Sequence, residues 1–395
     1  MLSASSSSAD KPLYWLHSQW LFRPDVDLEI WKRAWIQVCS EVALLQLVFD
    51  PAYHHFVRKN PPAIEVVILD AESLEEFLHS ARERCPSDLQ KSTSRDNGQL
   101  RLVRAVAYCW QGTGRIYWAW SCHHSLVDGG AFTECIKYIS DVYRSIALDP
   151  SSLSGHVSAD PSDSHFQWQE MLQHTNLGEC RSHFSKIRSD TEVQGNLLDS
   201  IRSTPQAGEK SPNHRLAIEL AGFPNSPAAT MGLPLSAWIH AATGLVLRRI
   251  IGNRSVAFAT TRHLRNNERM PIPSRALGLF ANTLPFVIHH NDSDTVFEHV
   301  QKIRRDWIDT RPFEHCSYSE ALDALGADAG KITIDWIVDI SRKSREIEIA
   351  EYLDGLLEGT PVFAQATDFP FAISVTIEPV PGLVLIADSK KITEQ

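Results

Sequence analysis

The 395-residue sequence is poor in sulphur, with 7 cysteines and 4 methionines. The cysteines stand at 39, 85, 109, 122, 135, 180 and 316, odd in number and without a C-x-x-C pair. That scatter argues against a disulfide framework and against a zinc knuckle, and predicts reduced thiols in an intracellular compartment. Long apolar runs are also lacking. The longest, Leu233 to Leu247, is broken by Ser236, His240 and Thr243, and it falls short of the ~20 residues a membrane-spanning helix needs. Basic charge is in deficit: 38 Lys and Arg face 48 Asp and Glu, a formal charge of −10. Such a chain lacks the electrostatic footprint of a general nucleic-acid binder and is repelled by anionic lipid. The opening MLSASSSSADKP carries neither a basic n-region nor an apolar core, so it does not read as a secretory signal. Cytoplasm is the expected location, and no repeat of 20 to 50 residues is visible.

What remains is the composition of a folded, soluble protein, 43% hydrophobic and 22% charged. At roughly 150 residues per domain the length suggests about two domains. The apolar, aromatic segment Leu13 to Phe22 reads as a strand closed by Arg23-Pro24. Leu28, Trp31, Ala34, Trp35 and Val38 have helical spacing, and Leu44 to Phe49 reads as a strand. Further strands are expected at Ile64 to Leu69, and as a hairpin of Leu102 to Trp110 with Ile116 to Cys122 around Gln111-Gly112-Thr113-Gly114. A helix is expected from Ala131 to Ile146. Residues Asp149 to Asn213 shift towards Ser, Asp, Pro and Gln and read as a linker holding a helix near Gln167 to Ile187. Beyond it, helices are expected at Pro234 to Ile251 and Val296 to Trp307. Strands are expected at Val256 to Thr260, Leu284 to Ile288, Ile332 to Ile340, Phe371 to Ile377 and Leu383 to Ala387. The fold class is therefore α/β in two parts.

One segment carries chemistry: Trp118-Ala119-Trp120-Ser121-Cys122-His123-His124-Ser125-Leu126-Val127-Asp128-Gly129-Gly130. An apolar strand runs into two histidines, a short turn, an aspartate, two glycines and a helix. Neighbouring side chains on a strand point opposite ways, so one imidazole can enter a cleft while the other packs inward. A neutral imidazole suits proton abstraction from an amine or alcohol near neutral pH. The spacing alone leaves other readings open: an inert, hydrogen-bonded histidine pair, or a metal site built on two His and an Asp, for which no further ligand is evident at helical spacing. The string recurs in His289-His290-Asn291-Asp292-Ser293-Asp294, where polar residues and Thr295 in place of Gly suggest an exposed turn, and His54-His55 has no matching Asp. Cys122, Trp118 and Trp120 are expected to be core residues.

The segment HHSLVDGG resembles the HHxxxDG signature of the condensation domains of nonribosomal peptide synthetases, in the chloramphenicol-acetyltransferase-like superfamily. Four further stretches agree in order. Met231 to Phe258 resembles the helix and strand before the family's second-lobe loop, and Thr261-Arg262 stands where Gly-Arg is usual. Leu277-Gly278-Leu279-Phe280-Ala281-Asn282-Thr283-Leu284-Pro285 is similar to G-x-F-x-N-T-x-P, and Asp368-Phe369-Pro370-Phe371 to D-Y-P-L. The resemblance covers roughly residues 13 to 390. There are departures: no T-x-x-Q-x-G-like motif precedes Lys11, and Glu41 to Phe49 lacks both arginines of the usual R-H-x-x-L-R-T-x-F. The customary terminal helix and adenylation and carrier domains are not found, so the expectation is either a shortened, free-standing form or a fragment.

The resemblance implies two chloramphenicol-acetyltransferase-like lobes in a V with a tunnel between them. Taken with the Ser-rich opening and the composition shift, it suggests a tail at 1–12, an N-terminal lobe at 13–155, a linker at 156–213 and a C-terminal lobe at 214–395. The implied reaction is acyl transfer from a thioester donor to an amine acceptor in nonribosomal peptide or related secondary-metabolite synthesis. Esterification or cyclisation on the same scaffold, and a non-catalytic docking protein, are the alternatives. His124 would be the base and the Gly129 N–H an oxyanion donor. His123, Asp128 and Arg262 would be structural, Asp128 paired with Arg262, while Ser125 and Asn282 would contact substrate. No metal or bound cofactor is expected. The 4′-phosphopantetheine arm of a carrier protein enters as part of the substrate, small soluble thioesters being the alternative partner, and the chain is expected to be a monomer. Arg262, Arg265, Arg269 and Arg275 form a basic cluster, either a carrier-docking patch or a solvated face.

Overall fold

The computed structural model describes residues 14–91, 99–149, 160–174, 177–187, 214–219, 231–266, 271–326, 334–365 and 369–387. The chain divides into two compact units, and neither is contiguous. The first comprises residues 1–169, 273–280 and 345–366, and the second 170–272, 281–344 and 367–395. The consecutive division at 155 and 213 expected from composition is thus corrected: two segments of the second half belong to the first unit. The expected tail at 1–12 lies outside the described residues, as does most of the linker, whose described part holds two helices, Asp163–Gln173 and Leu177–Ile187.

In the first unit a five-stranded sheet runs in the order Leu357–Gln365, Trp15–Phe22, Ile116–His123, Val103–Trp110, Ile64–Leu69. Neighbours are antiparallel except the last pair, which is parallel. Ile116–His123 is buried at every position, as a strand covered on both faces must be. Trp118 and Trp120 face one way, onto Trp31 and Trp35 of the helix Leu28–Glu41 and, for Trp120, onto Phe132 of the helix Gly129–Leu148. Tyr117 and Ala119 face the other way, onto Phe77, Ala81, Cys85 and Leu89 of the helix Leu74–Lys91. The Leu28–Glu41 helix starts where the Asp27 carboxylate accepts the amides of Glu29 and Ile30, and it buries Trp31, Ala34, Trp35, Val38 and Cys39, a single stripe at helical spacing. The expected hairpin of 103–110 and 116–123 is present in antiparallel register.

The second unit holds a six-stranded sheet in the order Ala281–His289, Ser255–His263, Trp336–Ser341, Phe371–Thr376, Gly382–Ala387, His214–Glu219. The helices Leu235–Ile251 and Val296–Asp309 share one apolar cluster with this sheet. The first ends on Gly252 at φ +79, the left-handed C-cap glycine favours. The second opens with a capping box of Thr295 and Glu298. Another cluster gathers Cys180 and Phe184 of Leu177–Ile187 with Ala321 of Tyr318–Ala324. There Cys180 and Cys316 are joined in a disulfide, 136 residues apart in sequence, which corrects the expectation of thiols reduced throughout. Cys39, Cys85, Cys109, Cys122 and Cys135 are not disulfide-bonded. Spacing carries no signal for a pair that tertiary packing alone brings together. Among the described residues no helix is long and apolar enough to cross a membrane.

Candidate active site

The HHSLVDGG segment lies in the first unit, where the central strand Ile116–His123 passes through a turn into the helix Gly129–Leu148. His123 is fully buried, its amide bonded to the Leu102 carbonyl and its ring edge-on to Trp15 at 5.2 Å. Nδ1 accepts the Ser125 amide at 3.1 Å and stands 2.8 Å from the Ser125 hydroxyl. A ring that accepts at Nδ1 carries its proton on Nε2. Burial, reinforced by the neighbouring His124, pushes the His123 pKa down to about 3. His123 is the inward-packing member of the pair. Ser125 brings both its amide and its hydroxyl to that ring. Cys122 is buried, and burial holds its thiol well above the ordinary range.

His124 begins the turn and is half-buried, with its amide donating to the Tyr14 carbonyl at 2.6 Å. Leu126 and Val127 are buried and anchor the turn in the core. Asp128 caps the helix: Oδ1 accepts the Ala131 amide at 2.8 Å and Oδ2 the Phe280 amide at 2.9 Å, while its own amide donates to the Gly278 carbonyl. Both carboxylate oxygens thus serve backbone amides. The adjoining segment 273–280 is clamped by Arg275, which pairs with Glu134 at 2.8 Å and Asp141 at 3.2 Å. Gly278 permits a close approach, since a Cβ there would stand 2.6 Å from that of His165. Gly129 opens the helix, with its N–H at the positive end of the helix dipole.

Arg262 and Asn282 lie in the second unit, on adjacent strands in register with one another. Arg262 is 1% exposed; its guanidinium lies 3.2 Å over the Trp307 ring and pairs with Glu314 at 3.3 Å. Within the second unit the ion partner of Arg262 is Glu314. Burial lowers the guanidinium pKa to about 9 against the opposing pull of Glu314, and burial likewise raises the Glu314 carboxyl. Asn282, expected to touch substrate, donates from Nδ2 to the carbonyls of Glu314 at 2.8 Å and Cys316 at 2.6 Å, and its Oδ1 accepts the Thr283 amide. Asn282 thus fixes the segment that carries Glu314. Of the basic cluster, Arg262 is buried and Arg275 is paired with two carboxylates, and Arg269 lies outside the described residues. His290, read from sequence as part of an exposed turn, is 7% exposed.

Sequence reasoning missed Arg345, the first residue of the helix Arg345–Tyr352, whose guanidinium lies against Gly129. It also missed Phe280 and His165, which brace Asp128 and Gly278. The glycine at 278 was the available signal for a close approach.

A buried strand ending in a histidine pair thus meets an aspartate-capped helix that starts at a glycine, on a mixed α/β scaffold. The family model Condensation domain matches residues 1–375, and the chain belongs to that family. It is 24% identical over 353 residues to the nonribosomal peptide synthetase ungA′ of Aspergillus campestris, covering 82% of this chain and only 3% of that protein's length. The first condensation domain of the CDA synthetase superposes with a TM-score of 0.71 at 14% identity, over 100% of this chain and 90% of that one. The starter condensation domain of rhizomide synthetase, a mutant solved in complex with C8-CoA, gives 0.70 at 16% identity over 98% and 87%. At such identities the likeness shows the fold, which is that of condensation domains.

Proposed function

We propose that the chain is a condensation-type acyltransferase that joins an acyl or peptidyl thioester to an amine, with His124 as the base. The observation that carries this reading is the division of labour in the histidine pair. His123 is locked by Ser125 and Asp128 by two amides, so they hold the turn, while His124 stands half-buried at its start, five residues before the helix. His124 takes a proton from the amine as its nitrogen attacks the thioester carbonyl. The carbonyl oxygen becomes an oxyanion beside the Gly129 N–H, at the positive end of the helix. Collapse breaks the C–S bond, and the thiolate leaves on its 4′-phosphopantetheine arm with the proton from His124. Well-aimed donors of this kind are worth roughly 3–4 kcal/mol each.

The test uses the purified chain, thioesters on coenzyme A, N-acetylcysteamine or a carrier protein, and a panel of amines, with products read by mass spectrometry. His124→Ala is expected to abolish amide formation while leaving the melting temperature near that of wild type. His123→Ala is expected to lower the melting temperature. Wild-type turnover that survives in His124→Ala removes the base assignment, and absence of product with every donor favours a docking role.

A further inference from the structure

Arg345 makes a closed set of contacts with the start of the helix Gly129–Leu148. A Cβ built on Gly129 would stand 2.9 Å from Arg345 Nε and 3.4 Å from both Cζ and Nη2. Only a residue without a side chain lets the guanidinium lie this close to the peptide. The guanidinium is itself held: Nη1 donates to Glu348 Oε2 at 2.7 Å, and the same oxygen accepts from Thr133 Oγ1 at 2.9 Å. Thr133 Oγ1 also lies within bonding distance of the Gly130 carbonyl, at 3.1 Å. The ring of contacts therefore runs from Gly129 through Arg345, Glu348 and Thr133 back to Gly130, with the Arg345 and Glu348 side chains 19% and 20% exposed.

We propose that Arg345 is a positioning residue for the Gly129 amide. Fixed by Glu348 and Thr133, its guanidinium holds the Gly129 peptide in place and adds positive charge beside the helix terminus. This inference rests on the acyl-transfer reading, in which the Gly129 N–H meets the oxyanion, and Arg345 acts through that peptide without touching a reacting atom. Both effects favour the transition state over the bound substrate, because the negative charge they meet appears only as the carbonyl is attacked. Displacement of such a donor by about 1 Å can cost on the order of a hundredfold in rate.

The experiment compares wild type with Arg345→Ala, Arg345→Lys, Gly129→Ala and the double variant Gly129→Ala/Arg345→Ala, by steady-state kinetics and by amide hydrogen exchange across residues 125–135. Arg345→Ala is expected to lower kcat by about 10- to 100-fold with KM changed less than about twofold. Arg345→Lys, which keeps the charge, should recover part of that loss. The methyl of Gly129→Ala meets the guanidinium, so the double variant should be no slower than the slower single one. Exchange at the first helical amides should quicken about tenfold in Arg345→Ala while the global melting temperature stays close to wild type. Unchanged kcat in Arg345→Ala overturns the inference, and so does unchanged exchange at these amides. If wild type forms no product with any thioester, the acyl-transfer reading fails by itself, and the exchange measurement still decides whether Arg345 holds the Gly129 peptide.

Discussion

Asp128 Oδ2 accepts the backbone amide of Phe280 at 2.9 Å, across 152 residues of sequence. Its other oxygen caps the helix Gly129–Leu148 through the Ala131 amide. One carboxylate thus ties the helix behind the histidine turn to the returning segment 273–280. An ionised carboxylate is acceptor-only, so it can serve two donors at once.

Asp128→Asn tests that arrangement. An amide side chain offers one acceptor oxygen, so either the Ala131 or the Phe280 N–H must face an NH2 group instead. Asp128 is 4% exposed, and a buried donor left unsatisfied costs about 1–3 kcal/mol. The variant is expected to lose that much stability in denaturant melts and to lose activity with it. An unchanged midpoint at unchanged m-value would discard the two-amide account.

The strand, turn and helix around HHSLVDGG were legible because their signals are local: an aromatic strand, a turn fixed by Leu126 and Val127, and a capping aspartate followed by glycines. The hairpin and the helices Leu28–Glu41 and Leu235–Ile251 were legible for the same reason. The returns of 273–280 and 345–366 to the first unit were not. Leu357–Gln365 carries Gly359 and Pro361 and does not read as a strand; it takes the edge of its sheet, where proline is tolerated. Arg345 sits in the polar run Ser341-Arg342-Lys343-Ser344-Arg345-Glu346, which reads as a solvated loop. Only the fold brings it to Gly129. The helix Leu74–Lys91 is masked by its charges and by Pro86, although Phe77, Ala81, Cys85 and Leu89 have the four-residue spacing of one face.

The Arg262–Glu314 pair predicts coupling within the second unit. The Arg262 side chain is 0% exposed and that of Glu314 11%, so removing one partner leaves a buried charge without its counter-ion. Such a loss typically costs ~3–5 kcal/mol. Glu314→Gln and Arg262→Met are each expected to destabilise strongly, and the double variant to cost less than their sum. A double-mutant cycle by chemical denaturation should give a coupling above about 0.5 kcal/mol. Additive effects would mean that the Trp307 stacking, not the carboxylate, accounts for the burial of Arg262.

His165 makes stability depend on pH. It is 7% exposed, packed on Gly278, and its Nδ1 accepts the Leu279 amide at 3.3 Å, a bond that protonation at Nδ1 would break. Burial lowers its pKa to about 4 from an ordinary 6.5, with Asp128 pulling the other way. Between these values the unfolded chain holds a proton that the native state refuses. Stability therefore falls as pH drops from about 6.5 towards 4, and this contribution is level above that window. The slope from one such group is at most about 1.4 kcal/mol per pH unit. His123 and His240, each lowered to about 3 by burial first of all, steepen the same limb. His165→Gln keeps an acceptor for Leu279 but cannot titrate. It should start less stable at pH 7 and lose stability more gradually down to pH 4.5, as followed by urea melts at half-unit steps. Parallel pH curves for the two proteins would show that His165 is not held neutral in the native state, and would remove its link to the segment that Asp128 grips.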